Sequence, residues 1–228
     1  MIATSTEISI GPKIEPVVAA RTSVSIVEDD SRCREALARQ LSRAGFEVAA
    51  HPSAERFLES AHLKEWDCVV ADIHLPRMNG VQLLAEIKQS QSCTQMVFFT
   101  GRREVSGAVQ VMREGAVDCL EKPIDDQKLL NAVTRASELS RRKRVEHSKR
   151  VELQRREKSL TPREREVFAL VTAGLLNKQV GAELGATERT IKTHRGRVMN
   201  KMNAGSLADL VRMAELLQVP SGTKVAYF

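Results

Sequence analysis

VVADIHLPRMNG, residues 69–80, decides how the first half of this chain is read. Val69, Val70 and Ala71 read as the end of a buried strand, and Asp72 carries a carboxylate out of it. Pro76 and Gly80 then turn the chain into the next helix. The segment alone leaves Asp72 open as a cap, a metal ligand or a nucleophile. Companion runs surround it at Val24–Val27, Phe46–Ala49, Cys68–Ala71, Met96–Phe99 and Asp118–Leu120. Between them lie helix-length amphipathic stretches near Ser31–Ala44, Ala54–Ser60, Gly80–Gln89, Val105–Glu114 and Asp125–Leu139. Strands alternating with helices predict an α/β class, a doubly wound parallel sheet covered on both faces. Gly45 and Gly115 sit where helix C-terminal glycines belong. Ser53 is a simple N-cap, because Arg56 and not an acid follows three residues later.

Composition narrows the classes. The chain has 228 residues, enough for one or two domains with their own cores. Its apolar runs are too short for a membrane span and its first 20 residues do not read as a secretory signal, so a cytoplasmic protein is expected. Cys33, Cys68, Cys93 and Cys119 lie far apart with no CxxC pair, and read as small buried thiols. The net charge of +6 is uneven. From Arg141 onward there are 19 Lys+Arg against 9 Asp+Glu, and before it 16 against 20. An acidic first half and a basic second half imply two domains with different partners, the second a candidate for nucleic acid.

In a doubly wound sheet, ligands bind beyond the carboxyl ends of the strands, near the point where strand order reverses. Those ends carry VEDD (Glu28, Asp29, Asp30), Asp72, FFTG (Thr100) and EKP (Lys122 before Pro123). Clustered carboxylates repel unless a cation is present. All-oxygen ligation suits a hard cation, and Mg²⁺ commonly takes one or two carboxylates plus a phosphate. An aspartate can act as a nucleophile and form an acyl phosphate, with metal, lysine and hydroxyl neutralising the phosphoryl charge.

The ordered set VEDD, VVADIHLPRMNG, FFTG and VDCLEKP resembles the receiver domain of bacterial two-component response regulators over residues 23–138. The resemblance implies a flavodoxin-like sheet of order 2-1-3-4-5. It implies Asp72 as phosphoacceptor, Asp29 and Glu28 as Mg²⁺ ligands with the backbone carbonyl of His74, Thr100 on a phosphoryl oxygen and Lys122 paired with it. It also implies a cis peptide bond before Pro123. Asp30 reads as a helix cap, and the His74 side chain as solvent-facing. One departure stands out. Receivers often carry Tyr or Phe at the position of Cys119, where the ring swings inward as the threonine moves. A thiol cannot report the switch through a ring.

Residues 139–158, including RRKRVEHSKRVELQRREK, are mostly charged and read as a solvated helix continuing the fifth, or as a charged linker. Residues 159–219 are helical throughout. LTPREREVFALVTAG opens with Thr161, Pro162 and Glu164 as cap, first-turn proline and first-turn acid, and closes at Gly174. Glu164 and Glu166 read as helix-start and solvent charges. Helices follow at Asn177–Leu184, Glu188–Met202 (capped by Thr187) and Leu207–Leu217. On a wheel, Ile191, Val198 and Met202 share one side of the third, flanked by His194 and Arg195. Lys192, Thr193, Gly196, Arg197 and Asn200 fall across from them. That face offers donors and a glycine for close approach, as a helix in a DNA major groove needs. A plain helical bundle with a basic face is the rival from periodicity alone.

Residues 155–218, from LTPREREVFALVTAGLLNKQVGAELGATERTIKTHRGRVMNKM to SLADLVRMAEL, resemble the LuxR-type helix-turn-helix output domain. With the receiver in front, the chain resembles the NarL/FixJ class, on its FixJ-like branch. The resemblance implies a DNA site built from Asn177, Lys178, Thr187, Arg189, Thr190, Lys192, Thr193, His194, Arg195, Arg197 and Lys201. Lys192 and Thr193 are the expected base readers. Arg189, Arg195 and Lys201 are expected on phosphates, and His194 either there or packed. Gly196 stands where some members carry lysine, with Arg197 as a substitute. The final helix is the implied dimer contact. The implied partners are a sensor histidine kinase, promoter DNA, a second copy and RNA polymerase, with no membrane. The implied role is a phosphorylation-controlled transcription factor and not an enzyme beyond slow self-dephosphorylation. Two rivals remain. One is a phosphohydrolase of the haloacid dehalogenase type, which needs an acid where His74 stands. The other is a DNA-binding regulator that never uses phosphate, which Cys119 keeps in view. Residues 1–22 and 220–228 are read as tails.

Overall fold

The computed structural model describes residues 22–60, 66–101 and 105–219. The expected tails at residues 1–22 and 220–228 lie outside them, apart from Thr22. The chain divides between Arg141 and Arg142 into two compact units.

The first unit is the expected five-stranded parallel sheet, ordered β2-β1-β3-β4-β5. Its strands are β1 (Ser23–Val27), β2 (Glu47–His51), β3 (Cys68–Asp72), β4 (Gln95–Thr100) and β5 (Asp118–Glu121). Between them run α1 (Ser31–Arg43), α2 (Ala54–Glu59), α3 (Gly80–Gln89) and α4 (Val105–Arg113), and α5 (Asp126–Lys158) follows β5. The central strands are apolar runs because both their faces are covered. β3 and β4 are buried along their whole length, whereas edge strand β2 is half-exposed. Alternate residues feed two cores. Val69, Ala71, Met96 and Phe98 pack with Leu83, Leu84 and Ile87 of α3 and Val111 of α4. Val70, Val97 and Phe99 pack with Leu37 and Leu41 of α1 and Leu129, Val133 and Ala136 of α5.

β2 begins at Glu47 and not at Phe46. The Phe46 amide donates to the Leu41 carbonyl at 3.2 Å, which makes it part of the turn that ends α1. Its ring still packs on the second core, so apolarity at that position reports burial and not strand. Asp125 stands just ahead of α5 and accepts from the Lys128 amide at 2.8 Å. The charged stretch 141–158 continues this helix to Lys158.

The second unit holds the end of α5 and four further helices, α6 (Pro162–Thr172), α7 (Asn177–Leu184), α8 (Glu188–Met202) and α9 (Leu207–Leu217). Val167, Phe168, Val171, Val180, Ile191, Val198, Met202 and Leu210 form their common core. The expected cap Thr161 and first-turn acid Glu164 join in a full capping box at the start of α6. The turn between α7 and α8 is tight. Gly185 ends α7 at φ +61°, and a Cβ on Gly181 would sit 2.6 Å from the Ala186 carbonyl oxygen. Only glycine allows that approach.

Candidate functional site

The sheet order reverses between β1 and β3, and the acids gather there. Val27 pairs with Ala71, so Glu28 and Asp72 follow side by side at neighbouring strand ends. Lys122, just past β5, reaches across to both. Its Nζ lies 2.7 Å from Asp72 Oδ2 and 3.0 Å from Glu28 Oε2. The ammonium also stands 4.8 Å over the Phe99 ring, a cation–π contact that fixes its approach. The Lys122 amide donates to the Thr100 carbonyl at 2.8 Å. The Lys122–Pro123 bond is cis, as expected.

Electrostatics follow from burial and pairing. Glu28 is 1% exposed, and that burial raises its pKa against opposing hydrogen bonds from Lys122, Cys33 and the Asp30 amide. Burial alone would lower the Lys122 pKa, but the hydrogen bonds and charges of Asp72 and Glu28 outweigh it and hold the lysine raised. The pair therefore keeps a fixed ammonium against the Asp72 carboxylate. Asp72 Oδ1 is tied back by the His74 amide at 2.8 Å. The His74 side chain is exposed, as expected.

The other expected residues divide. Asp72 pairs with Phe99, so Thr100, buried at the end of β4, stands one residue beyond that register. Asp29 is exposed. Among the described residues no three His, Cys, Asp or Glu side chains converge as a ready ion cage. Asp30 caps α1 by accepting from the Cys33 amide at 2.8 Å. Cys119 is half-buried beside the α4 residues Ala108, Val109 and Met112. Burial first, then Asp118 and Asp72, push its thiol up to about 11, so it is a neutral apolar group here.

Two supports escaped the sequence reading. Arg34 donates from one guanidinium nitrogen to the carbonyls of Glu28 at 2.7 Å and Asp29 at 3.0 Å. It clamps the turn that carries both acids. A bond to backbone leaves no complementary residue in the sequence, so nothing flagged it. Gly80 is the second support. A Cβ there would lie 2.7 Å from Phe98 Cε1, 2.8 Å from the Asp72 carbonyl oxygen and 3.0 Å from Ile73 Cα. The start of α3 thus rests directly on the backbone of Asp72.

In the second unit, α8 buries Ile191, Val198 and Met202 and exposes Lys192, Thr193, Gly196 and Arg197, the division read from the wheel. Lys178, Arg189 and Thr190 are exposed too. The hydroxyls of Thr187 and Thr190 are 2.8 Å apart, and Thr187 caps α8. Thr193 Oγ1 donates to the Arg189 carbonyl at 3.1 Å. Arg195 donates to Asn177 Oδ1 at 3.2 Å, which fastens α8 to the start of α7. His194 is half-buried with Nδ1 shut away and without a hydrogen-bond partner among the described residues. That favours packing over phosphate contact.

Lys201 requires a correction. Expected on DNA phosphate, its Nζ instead lies 2.6 Å from Glu164 Oε2 and 3.1 Å from the Ser159 carbonyl. Glu164, expected as a helix-start and solvent charge, does stand at the helix start but is 2% exposed. Lys201 first, then the Thr161 amide, pull its carboxyl down to about 2. Their sequence separation of 37 residues hid the pair. Glu166 pairs on the surface with Arg163 at 2.8 Å.

Comparison with known proteins agrees with both units. The response regulator receiver domain family matches residues 24–134, and the LuxR family of bacterial regulatory proteins matches residues 158–214. Nodulation protein W of Bradyrhizobium diazoefficiens is 40% identical over 88% of this chain and 88% of its own. The transcriptional regulatory protein FixJ of Rhizobium meliloti is 38% identical over 84% of this chain and 94% of its own. Among solved structures, the response regulator StyR matches with a TM-score of 0.76 at 36% identity, covering 86% of this chain and 99% of that one. Full-length FixJ from B. japonicum matches with a TM-score of 0.53 at 35% identity, covering 86% and 97%. The chain belongs to the response regulators of the NarL/FixJ class, transcription regulators that join a receiver domain to a LuxR-type helix-turn-helix domain.

Proposed function

We propose that Asp72 accepts a phosphoryl group from a sensor histidine kinase and that the acyl phosphate controls dimerisation and DNA binding. The observation that carries this is the Lys122 ammonium held against Asp72 Oδ2 at 2.7 Å and Glu28 Oε2 at 3.0 Å. An Asp72 oxygen forms the new bond to phosphorus as the bond to the donor's imidazole nitrogen breaks. Lys122 balances the charge that the Asp72 carboxylate and the incoming phosphoryl oxygens bring together. The Thr100 hydroxyl, at the next strand end, hydrogen-bonds one of those oxygens. The His74 amide and Gly80 hold the Asp72 carboxyl and backbone in place.

The oxygen donors fit a hard divalent cation that keeps several waters. Glu28 and Asp72 lie at adjacent strand ends, and Asp29 and His74 follow them one and two residues along the chain. These residues would hold Mg²⁺, which when bound supplies positive charge to the transferring phosphoryl group. Arg34 keeps the Glu28–Asp29 turn in its shape.

The protein is a phosphoacceptor and not a turnover enzyme. The position two residues beyond Asp72 carries His74, exposed and not acidic, so the general acid of an aspartyl-phosphate hydrolase is missing there. Phosphorylation biases the receiver between two states, and the dimer then binds two DNA half-sites through α8. On α9, Leu207 and Leu216 are exposed and supply the dimer surface. RNA polymerase is a further partner on the promoter.

Cys119 favours a second reading, in which DNA binding proceeds without phosphate because no ring relays the switch. One comparison separates the two. Sedimentation and duplex binding are measured with and without acetyl phosphate and Mg²⁺, for the protein and for Asp72→Asn. The first reading expects phosphate to promote dimerisation and binding in the protein alone. Equal behaviour of all four samples would support the second.

A further inference from the structure

Four of the described helices contain a glycine, and in two of them a close approach requires it. A Cβ on Gly80 would press on the backbone of Asp72 and Ile73 and one on Gly181 on the Ala186 carbonyl oxygen, whereas one on Gly107 would make an ordinary contact with Ile73 Cγ2 at 3.4 Å. Gly196 differs. A Cβ there would find nothing within 4 Å, its φ is not left-handed, and it lies in the interior of α8. Glycine is the poorest helix residue after proline, because it loses the most backbone freedom on folding. The described fold therefore offers no reason for Gly196 and some reason against it.

Its position suggests an external reason. Gly196 is exposed, four residues after Lys192 and three after Thr193. At about 100° per residue it falls roughly 40° from Lys192 and about 60° from Thr193, one turn along the same face. Ile191, Val198 and Met202 are buried on the other side. The gap thus sits in the middle of the donor-bearing surface, flanked by side chains that reach beyond it.

We propose that Gly196 is a specificity-determining residue, at which the α8 backbone comes into van der Waals contact with base edges in the major groove. The base pair there is read by close fit and exclusion, not by a side-chain hydrogen bond. Lys192 and Thr193 read the neighbouring positions. This rests on the DNA-binding reading above and deepens it.

The test begins by selecting duplexes from a randomised library with the full-length protein in acetyl phosphate and Mg²⁺. Affinity is then measured for the protein, Gly196→Ala and Gly196→Lys, on the enriched duplex and on a scrambled duplex of equal length. Gly196→Ala is expected to raise the melting temperature of the helical unit by a few degrees. It should still weaken binding to the enriched duplex by about tenfold or more, while scrambled-duplex binding stays within about twofold. Repeating the selection with Gly196→Lys should change base preference at one position per half-site and leave the others. The proposal is overturned if Gly196→Ala binds the enriched duplex as tightly as the protein does, or loses affinity equally on both duplexes. A fall in melting temperature would overturn it too, since the fold itself would then need the glycine. If the protein enriches no duplex at all, the DNA-binding reading fails first and takes this one with it.

Discussion

Glu164→Gln should destabilise the helical unit in a pH-dependent way while leaving its DNA-contacting charge intact. In the protein the Glu164 carboxylate accepts from Lys201 Nζ at 2.6 Å and from the Thr161 amide at 2.9 Å. Its side chain is 3% accessible and that of Lys201 36%. A carboxyl pulled from 4.5 to about 2 corresponds to an upper bound of about 3 kcal/mol. Water reaching Lys201 screens the pair, so about 1–2 kcal/mol is expected. Glutamine keeps an oxygen for the Thr161 amide, so the cap survives in Glu164→Gln. Glu164→Ala keeps the Thr161 hydroxyl cap but also loses the bond from the Thr161 amide, and should cost about 1 kcal/mol more. The folded pKa is depressed, so this stability is fully present above about 4.5 and is lost as pH falls through about 2. In calorimetry the difference between the protein and Glu164→Gln should be largest near neutral pH and shrink towards pH 2. Lys201→Met should lower the melting temperature similarly. It should also leave the slope of log K against log salt unchanged, whereas removing a phosphate contact reduces that slope by about 0.9. A Lys201→Met variant with normal stability and a reduced salt slope would refute the pairing and return Lys201 to the DNA.

Two further outcomes concern the acid cluster. Gly80→Ala puts a methyl against Phe98 and two backbone atoms, an overpacking that should cost about 1–3 kcal/mol. Because one of those atoms is the Asp72 carbonyl, acetyl phosphate should label this variant several-fold more slowly than its loss of stability explains, as read by phosphate-affinity electrophoresis below its melting temperature. Arg34→Gln removes the clamp on the Glu28 and Asp29 carbonyls. Mg²⁺ titration followed by amide shifts of Asp29 should show severalfold weaker binding, about 1 kcal/mol, in a folded receiver; an unchanged dissociation constant would remove Arg34 from the site.

What could be read from the sequence depended on how local each signal was. β3 and β4 announced themselves because strands buried on both faces must be apolar throughout. Glu28, Asp72, Thr100 and Lys122 were legible because a parallel sheet brings all its strand ends to one edge, whatever their separation in the chain. β2 starts one residue later than expected because Phe46 packs on the core for a different reason, closing the turn after α1. The packed and exposed sides of α8 were legible from its period. The fate of Lys201 was not, since its partner comes from a helix start 37 residues earlier. Arg34 and Gly80 act on backbone atoms, and backbone carries no residue code.

Asp72 is the proposed phosphoacceptor, and its modification can be read directly. Full-length protein is incubated with acetyl phosphate and Mg²⁺, reduced with borohydride, digested and mapped by mass spectrometry. An acyl phosphate on Asp72 is reduced to the corresponding alcohol, so homoserine is expected at position 72 in the peptide containing VVADIHLPRMNG, and in no peptide of Asp72→Asn. Homoserine at another acid, or undiminished phosphate incorporation in Asp72→Asn, would contradict this assignment.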